Sequence, residues 1–289
     1  MAQTSISSEL TIATAISTLG DLLAPIPNFT LNISNEVVGR HAKVIVPIVS
    51  TDDVARDWNA TKGYTADADT GTATLDVAIG EVIKPFYLAD NEMNKSPISL
   101  ASFAKQNAHE FGRFLLNKIF VAADAVTITN TRTVAAGSLT VANVKAMQKE
   151  LDEDGAPMDR TLLAAAAGNS NLMPSSIETF GAGVLESGRF SNLYGMRVYP
   201  QSANTDGAGK IHTLACSGDA IVIVNRQPEV SGSATLEEYT PFTIDGIGLQ
   251  CAYRRFYDAA KGVHYGAFTT NFGVGIAKPN HIAVCKKAS

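Results

Sequence analysis

The side chains best suited to contact another macromolecule are concentrated in one polar segment, residues 50–73. This segment is rich in Asp, Thr, Ala and Gly and poor in large apolar residues. It cannot build a core of its own, and long loops of this kind commonly contact a partner. Six of its side chains combine charge with aromatic surface and are the predicted contact residues: Asp52, Asp53, Arg56, Trp58, Lys62 and Tyr64.

Trp58 is the only tryptophan of the chain. One interpretation is an anchor that inserts into a neighbouring chain, because aromatic residues are enriched at protein interfaces. The other is local packing onto the loop itself. The sequence leaves both interpretations open.

The sequence contains no recognisable catalytic or metal-binding motif. No P-loop, GxGxxG after a strand, GxSxG or HExxH occurs. Gly181-Ala-Gly183 lacks the third glycine, and the acidic run at 151–155 lacks the full spacing of a calcium loop. The histidines occur singly, at positions 41, 109, 212, 264 and 281. We therefore expect no catalytic residues, no metal and no cofactor, and we predict that the chain is not an enzyme.

The charge of the chain argues against tight binding of nucleic acid, and its cysteines indicate the compartment in which it functions. With 28 acidic and 23 basic residues the formal net charge is -5, and no basic run exceeds two residues. A protein that grips nucleic acid through its phosphates needs a denser basic surface. Cys216, Cys251 and Cys285 are far apart and odd in number, so we expect no disulfide framework and a reducing cytoplasm.

The N-terminal region is predicted to be an arm without a targeting function. Its first residues lack the basic region of a signal peptide. Leu10, Ala13 and Ile16 mark one face of a short helix, and Pro25 and Pro27 follow it. No apolar run is expected to reach the roughly 20 residues that a membrane span needs, so no membrane partner is expected.

Two predicted strands flank the polar segment and make it the end of a long hairpin. Residues 36–49 are rich in β-branched residues. In the second strand, 74–88, Leu75, Val77 and Ile79 alternate with smaller or polar residues, which is the period of a strand.

A long amphipathic helix is predicted after the hairpin, opened by Ser96 as cap and Pro97 at the first position. Gly112 inside it costs about 1 kcal/mol relative to alanine. The apolar stripe recurs every three or four residues over about six turns: Leu100, Ala104, Ala108, Phe111, Leu115, Ile119 and Ala122.

The rest of the chain mixes helix and strand, so the predicted fold class is α+β. Thr140 caps a further helix that stops at Gly155. Residues 161–169 suit a short helix or a buried strand equally, and another helix is predicted near Ser175–Phe180. From 211 to 287 the pattern is mostly strand.

The order of these features resembles the major capsid proteins of tailed bacteriophages, the Hong Kong ninety-seven type of fold. The resemblance extends over about 250 residues and depends on the order of its segments, none of which is specific alone. The segments that carry it are VANVKAMQKELDEDGAPMDRTLLAAAAGN after Thr140, FSNLYGMRVYPQSAN at 190–204, GDAIVIVN at 218–225 and the strand-rich end from Thr243.

The resemblance implies a fold with an N-terminal arm, a long β-hairpin called the E-loop, a spine helix in a peripheral domain, and an axial domain. The implied segments are an arm at 1–35, the E-loop at 36–88, the peripheral domain at 89–139, the axial domain at 140–240, and closing strands at 241–289 that return to the peripheral domain.

The same resemblance implies an icosahedral shell that encloses a phage genome, assembled in the bacterial host cytoplasm. The expected partners are copies of the chain in pentamers and hexamers, a portal, and a separate scaffolding protein, because no long scaffolding segment precedes the arm. DNA would be enclosed without sequence-specific binding. Two alternatives remain: an encapsulin-type compartment that holds cargo enzymes, and a soluble α+β hydrolase with an unrecognised site.

Lys62 has a special place in the resemblance, because some of these proteins bond an E-loop lysine to an asparagine of a neighbour. Such a reaction needs an uncharged amine and a carboxylate base within hydrogen-bond reach. The sequence identifies neither the asparagine nor the base, so we predict that Lys62 pairs non-covalently with an acidic neighbour.

Overall fold

The computed structural model describes residues 2–34, 43–50, 61, 71–89, 100–134, 139–165, 172, 192–201, 209–229, 238–258, 260–261 and 263–288. The helices are α1 (Ala2–Leu23), α2 (Leu100–Asp124) and α3 (Val141–Glu153). The strands are β1 (Thr30–Asn32), β2 (Lys43–Ser50), β3 (Gly71–Ala78), β4 (Gly80–Ala89), β5 (Asn130–Val134), β6 (Arg160–Ala165), β7 (Asn192–Leu193), β8 (Met196–Gln201), β9 (Ile211–Ser217), β10 (Ile221–Arg226), β11 (Glu238–Ile244), β12 (Leu249–Asp258), β13 (Val263–Ile276) and β14 (Ile282–Lys287). The α+β class is therefore confirmed.

The first sheet is organised around β13, its longest strand. One edge of β13 pairs with β4, and the other pairs first with β12 and then, from Asn271 onward, with β10. Strand β11 extends the sheet beside β12, and β1 extends it beside β10 in parallel. Because side chains alternate along a strand, β13 presents Phe268 and Phe272 to one face, the inner face, and Gly273 and Gly275 to the other, the outer face.

Helices α1 and α2 pack on the inner face of the first sheet. The predicted apolar stripe of α2 is buried at Ala104, Ala108, Phe111, Leu115 and Ile119, and it ends at Ala123, because Ala122 keeps part of its surface exposed. Aromatic residues of the sheet, among them Phe268 and Phe272, join these residues in one core. The predicted cap residues Ser96 and Pro97 lie outside the described residues.

Gly112 lowers the helix propensity of α2, but it also makes room for side chains of α1. A Cβ atom at this position would lie 2.6 Å from Cδ2 of Leu22 and 3.1 Å from Cδ2 of Leu19. Glycine therefore lets α1 approach α2 more closely than any other residue would allow.

Helix α1 differs from the prediction in length and in its buried face. It runs for 22 residues, and its buried positions include Ala15, Leu19 and Leu23, whereas Leu10 and Ala13 are exposed.

The segment Glu9–Asn28 is long and apolar enough to cross a membrane by length and composition alone, so the expectation that no apolar run has this length was wrong. A core helix meets the same criteria, and the buried positions of α1 belong to the same core as α2.

The second sheet has the order β5-β14-β9-β6-β8-β7 and packs against α3. The ambiguous segment 161–169 contributes strand β6, whose first five side chains are buried. Thr140 caps α3 as predicted, in a capping box with Asn143. Gly155 follows the helix with a φ of 68°, the left-handed conformation that favours glycine. The helix predicted near Ser175–Phe180 lies outside the described residues.

Candidate functional site

The six predicted contact residues, at positions 52, 53, 56, 58, 62 and 64, all lie outside the described residues. What the structure does describe is the base of their hairpin. Strands β2 and β3 pair antiparallel in eight consecutive steps, from Lys43 opposite Ala78 to Ser50 opposite Gly71. We call these two strands the hairpin root. The second predicted strand, 74–88, is in fact two strands, β3 and β4, which separate at Ile79.

The hairpin root is seated on the outer face of the first sheet. Val46 and Val77 retain only 6% and 1% of their exposed surface and form a small cluster with Val222 and Val224 of β10. Leu75 and Ile79 pack against this cluster, as the alternation in the sequence predicted. The opposite side of the root is open to solvent, since Ile45 is 65% exposed.

Strand β3 crosses β13 where two glycines remove the side chains. A Cβ atom at Gly273 would lie 2.6 Å from the carbonyl oxygen of Ala78. At Gly275 it would lie 2.7 Å from both Cδ2 of Leu75 and Cγ2 of Val77. The root therefore rests directly on the backbone of the sheet.

A row of aromatic side chains occupies the other end of the outer face. Tyr265 of β13 is paired with Tyr87 of β4 and with Phe256 of β12. The ring of Phe256 is stacked on Tyr265 with centroids 4.9 Å apart, and Tyr87 lies 6.3 Å from Tyr265 on the other side. Tyr87 is 62% exposed and Phe256 is 42% exposed. Exposed apolar surface of this kind is typical of a contact between proteins.

The thiols of the chain are poorly suited to nucleophilic chemistry. Burial raises the pKa of Cys251 to about 12 and that of Cys285 to about 11, and it raises the pKa of Cys216 further. A thiol with such a pKa remains protonated at neutral pH, whereas the thiolate is the nucleophile. Within the described ranges, no group of three His, Cys, Asp or Glu residues is arranged to hold a metal ion.

A shallow groove of about 610 Å³ lies between α1 and α2. Three hydroxyl residues of α1 line it, together with Asp21 and with Lys105 and His109 of α2. Thr18 already donates its hydroxyl to the carbonyl oxygen of Thr14, 2.8 Å away. The groove is open to solvent along its length and has no enclosed pocket in which a substrate would be desolvated.

Asp219 forms a polar cluster at the junction of the two sheets, which sequence reasoning missed. It accepts hydrogen bonds from Lys278 Nζ at 2.7 Å and from the Ser217 hydroxyl, and it lies 3.2 Å from His281 Nδ1. Asp219 lies in the short crossing between the sheets from β9 to β10, and Lys278 and His281 lie in the short crossing from β13 to β14. The backbone amides of Ala277 and Lys278 also donate to the carbonyl oxygen of Ala220. The cluster therefore ties one crossing to the other.

A second ionic contact joins α2 to the second sheet. The carboxylate of Asp124, the last residue of α2, lies 2.7 Å from Lys210 Nζ and 3.0 Å from Lys286 Nζ. Burial alone would raise the pKa of Asp124, but hydrogen bonds from the two lysines lower it below its usual value. The lysines also offset the unfavourable position of an acidic residue at a helix C-terminus.

The fold is shared with known capsid structures over almost the whole chain. No family model matches the sequence, and no curated protein is significantly similar to it. A structure from Mycobacterium phage Che8 matches with a TM-score of 0.60 and 14% identity, over 90% of each chain. The capsid structure of cyanophage P-SCSP1u matches with a TM-score of 0.56 and 11% identity, over 91% of this chain and 87% of the other. A virus-like particle from Pyrococcus furiosus matches with a TM-score of 0.57 and 12% identity, over 96% of this chain and 98% of the other. The chain therefore has the fold of phage capsid proteins.

Proposed function

We propose that this chain is the major capsid protein of a tailed phage, which assembles into the icosahedral shell around the genome. The observation that carries the proposal is the length of the fold match, 90% of both chains for the phage Che8 structure. Because the match extends over most of each chain, the likeness is to the capsid fold as a whole and not to one of its segments.

In this proposal the hairpin at 36–88 is the E-loop, α2 is the spine helix of a peripheral domain at 89–139, and residues 140–240 form the axial domain. The arm at 1–35 contains α1, and the closing strands begin at 241. These segments exchange strands: β10, from the axial segment, pairs with β13, and β14, from the closing segment, pairs with β9. The proposed domains are therefore interleaved parts of one subunit.

The proposed partners are further copies of the chain in pentamers and hexamers, a scaffolding protein and a portal. Identical subunits that bury surface repeatedly and close on themselves form rings and shells. The aromatic row of Tyr87, Tyr265 and Phe256 is assigned to contact with a second copy. A net charge of -5 suits a wall that encloses DNA without sequence-specific binding. Assembly takes place in the bacterial host cytoplasm, and no membrane is involved.

An encapsulin-type compartment is the second candidate. It is favoured by the match to the Pyrococcus furiosus virus-like particle, which covers 98% of that chain. The contents of the particle separate the two: packaged DNA supports the virus, and a co-purified cargo enzyme supports the compartment. Genes for a portal and a terminase beside this one, or for a cargo enzyme, give an independent answer.

Assembly of the purified chain, alone and with a scaffolding protein, tests the proposal. Electron microscopy and light scattering across solution conditions are expected to show closed shells or capsomer rings. A persistent monomer under all conditions would refute shell formation.

Deletion of residues 52–71 tests the hairpin separately. We expect a folded subunit that does not assemble, because the segment has few apolar residues and its removal loses little core burial. A replacement of the same length by Gly and Ser keeps loop closure unchanged and removes the six predicted contact side chains, so it should fail to assemble as well. Loss of the cooperative thermal transition on deletion would place the segment in the core instead.

A further inference from the structure

We propose that Gly273 and Gly275 are positioning residues that fix the direction in which the hairpin leaves the subunit. The inference rests on the proposed function, in which the hairpin contacts other subunits. It concerns how the first sheet holds the hairpin root, whatever the hairpin contacts beyond it.

The backbone at these two glycines does not itself require glycine. Both lie within β13, and the glycines with positive φ among the described residues are at positions 155, 195, 209, 246 and 248. An extended strand favours β-branched residues, and glycine in its interior is destabilising. The reason for glycine at these positions must therefore lie in the elements that pack on the outer face of the sheet. A close approach of another backbone is a common reason for glycine in a strand.

What lies above them is strand β3. The Ala78 carbonyl oxygen occupies the space of a Cβ at Gly273, at 2.6 Å, and this oxygen is part of a backbone that cannot rotate away. At Gly275 the space is occupied by the ends of Leu75 and Val77, each at 2.7 Å. A methyl group at Gly273 must push the backbone of β3 off the sheet, and a methyl group at Gly275 must displace the side chains of Leu75 and Val77 that rest there.

The neighbouring strand completes the seat. Val224 and Val222 of β10 are paired with Gly273 and Gly275, and their side chains form the cluster that buries Val46 and Val77. The outer face is therefore raised at the valines of β10 and lowered at the neighbouring glycines of β13. The hairpin root fits against this surface in one orientation, because a shift along β13 would bring it onto residues that carry side chains.

Gly266 provides a matched control on the same strand. A Cβ there would lie 2.4 Å from Cε2 of Phe86, so Gly266→Ala also produces a clash, but against an aromatic ring of the first sheet, far along β13 from the hairpin root. Gly80→Ala is a neutral control, since its nearest foreign atom is Lys118 Nζ at 4.0 Å.

The experiment compares Gly273→Ala and Gly275→Ala with both controls in the full chain. Thermal unfolding reports the integrity of the subunit, amide hydrogen exchange of β2 and β3 reports the seating of the root, and electron microscopy reports shell diameter and yield. For both test variants we expect a cooperative transition, exchange in β3 that is faster by roughly tenfold or more, and shells that are absent or altered in diameter. Gly266→Ala is expected to lower the transition temperature while β3 exchanges as in the unmodified chain.

Each outcome decides the inference. Unchanged exchange in β3, or shells of unchanged diameter and yield from both variants, would overturn it. Loss of the cooperative transition in both variants would show that the glycines support the core, and would overturn it too. If the unmodified chain forms no shells, the proposed function fails, while the exchange of β3 still tests the seating of the root.

Discussion

Replacement of Asp219 with asparagine changes the charge of the cluster that ties the β9–β10 crossing to the β13–β14 crossing and leaves its shape nearly unchanged. Burial alone would raise the pKa of Asp219, but hydrogen bonds from Lys278, Ser217 and His281 outweigh burial and lower the pKa from 3.8 to about 2. The folded state therefore favours the ionised carboxylate. Asparagine keeps the volume and removes the negative charge that faces Lys278.

The size and the pH dependence of the effect follow from this shift. A difference between 3.8 and about 2 corresponds to roughly 2 kcal/mol of stabilisation. Because the Asp219 side chain is still 33% exposed, solvent screening reduces this to about 1 kcal/mol. The folded-state pKa is the lower one, so the stabilisation is present above the unfolded value and is lost as the pH falls towards 2. About half of it is gone at pH 3.

Urea unfolding of the dissociated subunit at pH 7 and at pH 3 measures the effect. We expect Asp219→Asn to lower the free energy of unfolding by about 1 kcal/mol at pH 7 and by about half as much at pH 3. Asp159→Asn is the control: its ion pair with Arg197, at 3.4 Å, is exposed on both sides, and such pairs contribute little. Equal losses at both pH values, or no loss at pH 7, would show that the charge of Asp219 does not stabilise the junction.

Three further changes test other parts of the subunit. Gly112→Ala should lower the free energy of unfolding by about 1–3 kcal/mol in spite of the better helix propensity, because the methyl group clashes with Leu22; a higher melting temperature would refute the close approach of α1. Burial lowers the pKa of His212, although a hydrogen bond with Val134 acts against it, so the unfolded chain takes up the proton first and stability falls as the pH drops below about 6.5. His212→Gln should flatten this decline in unfolding titrations between pH 7 and 5, and an unchanged slope would contradict it. Mature particles should run as a single monomer band on a denaturing gel, and a covalent ladder that Lys62→Ala abolishes would overturn non-covalent pairing.

Local periodicity explains why α2 and α3 could be predicted. The stripe of α2 continues through Phe111, Leu115 and Ile119, and the same side chains are buried in the structure. Thr140 and Gly155 mark the two ends of α3 because capping is a contact between neighbours in sequence. Such signals need no knowledge of the tertiary structure.

Helix α1 shows where that reasoning fails. Its sequence is rich in Ala, Ser and Thr, so several faces have a similar polarity and the choice of Leu10 and Ala13 was wrong. The buried face is selected by α2, whose Gly112 receives Leu19 and Leu22. That choice depends on a contact between helices about 90 positions apart in sequence.

The polar cluster at the inter-sheet junction could not be predicted from the sequence, because it too joins residues that are far apart in the chain. Asp219 belongs to the segment GDAIVIVN, which resembles a segment of capsid proteins, while Lys278 lies 59 positions away and His281 lies 62 positions away. Nothing in the spacing of these residues links them. Gly273 and Gly275 of β13 did carry a signal, since they alternate with Phe272, Val274 and Ile276 at the apolar end of the strand, and glycine inside a strand often marks a close approach.

The distribution of contacts also indicates which part of the subunit can change orientation with the smallest loss of stability. The two sheets exchange β10 and β14 and are tied at Asp219, so separating them requires breaking paired strands as well as ionic contacts. The hairpin root is held on the outer face by a far smaller cluster, in which Val46 and Val77 are the buried side chains of the root itself. Full burial of a valine contributes about 1.5–3 kcal/mol, which is small beside the two cores that hold the sheets and helices together. Changes at the root should therefore alter how the hairpin reaches a neighbouring subunit well before they unfold the subunit that carries it.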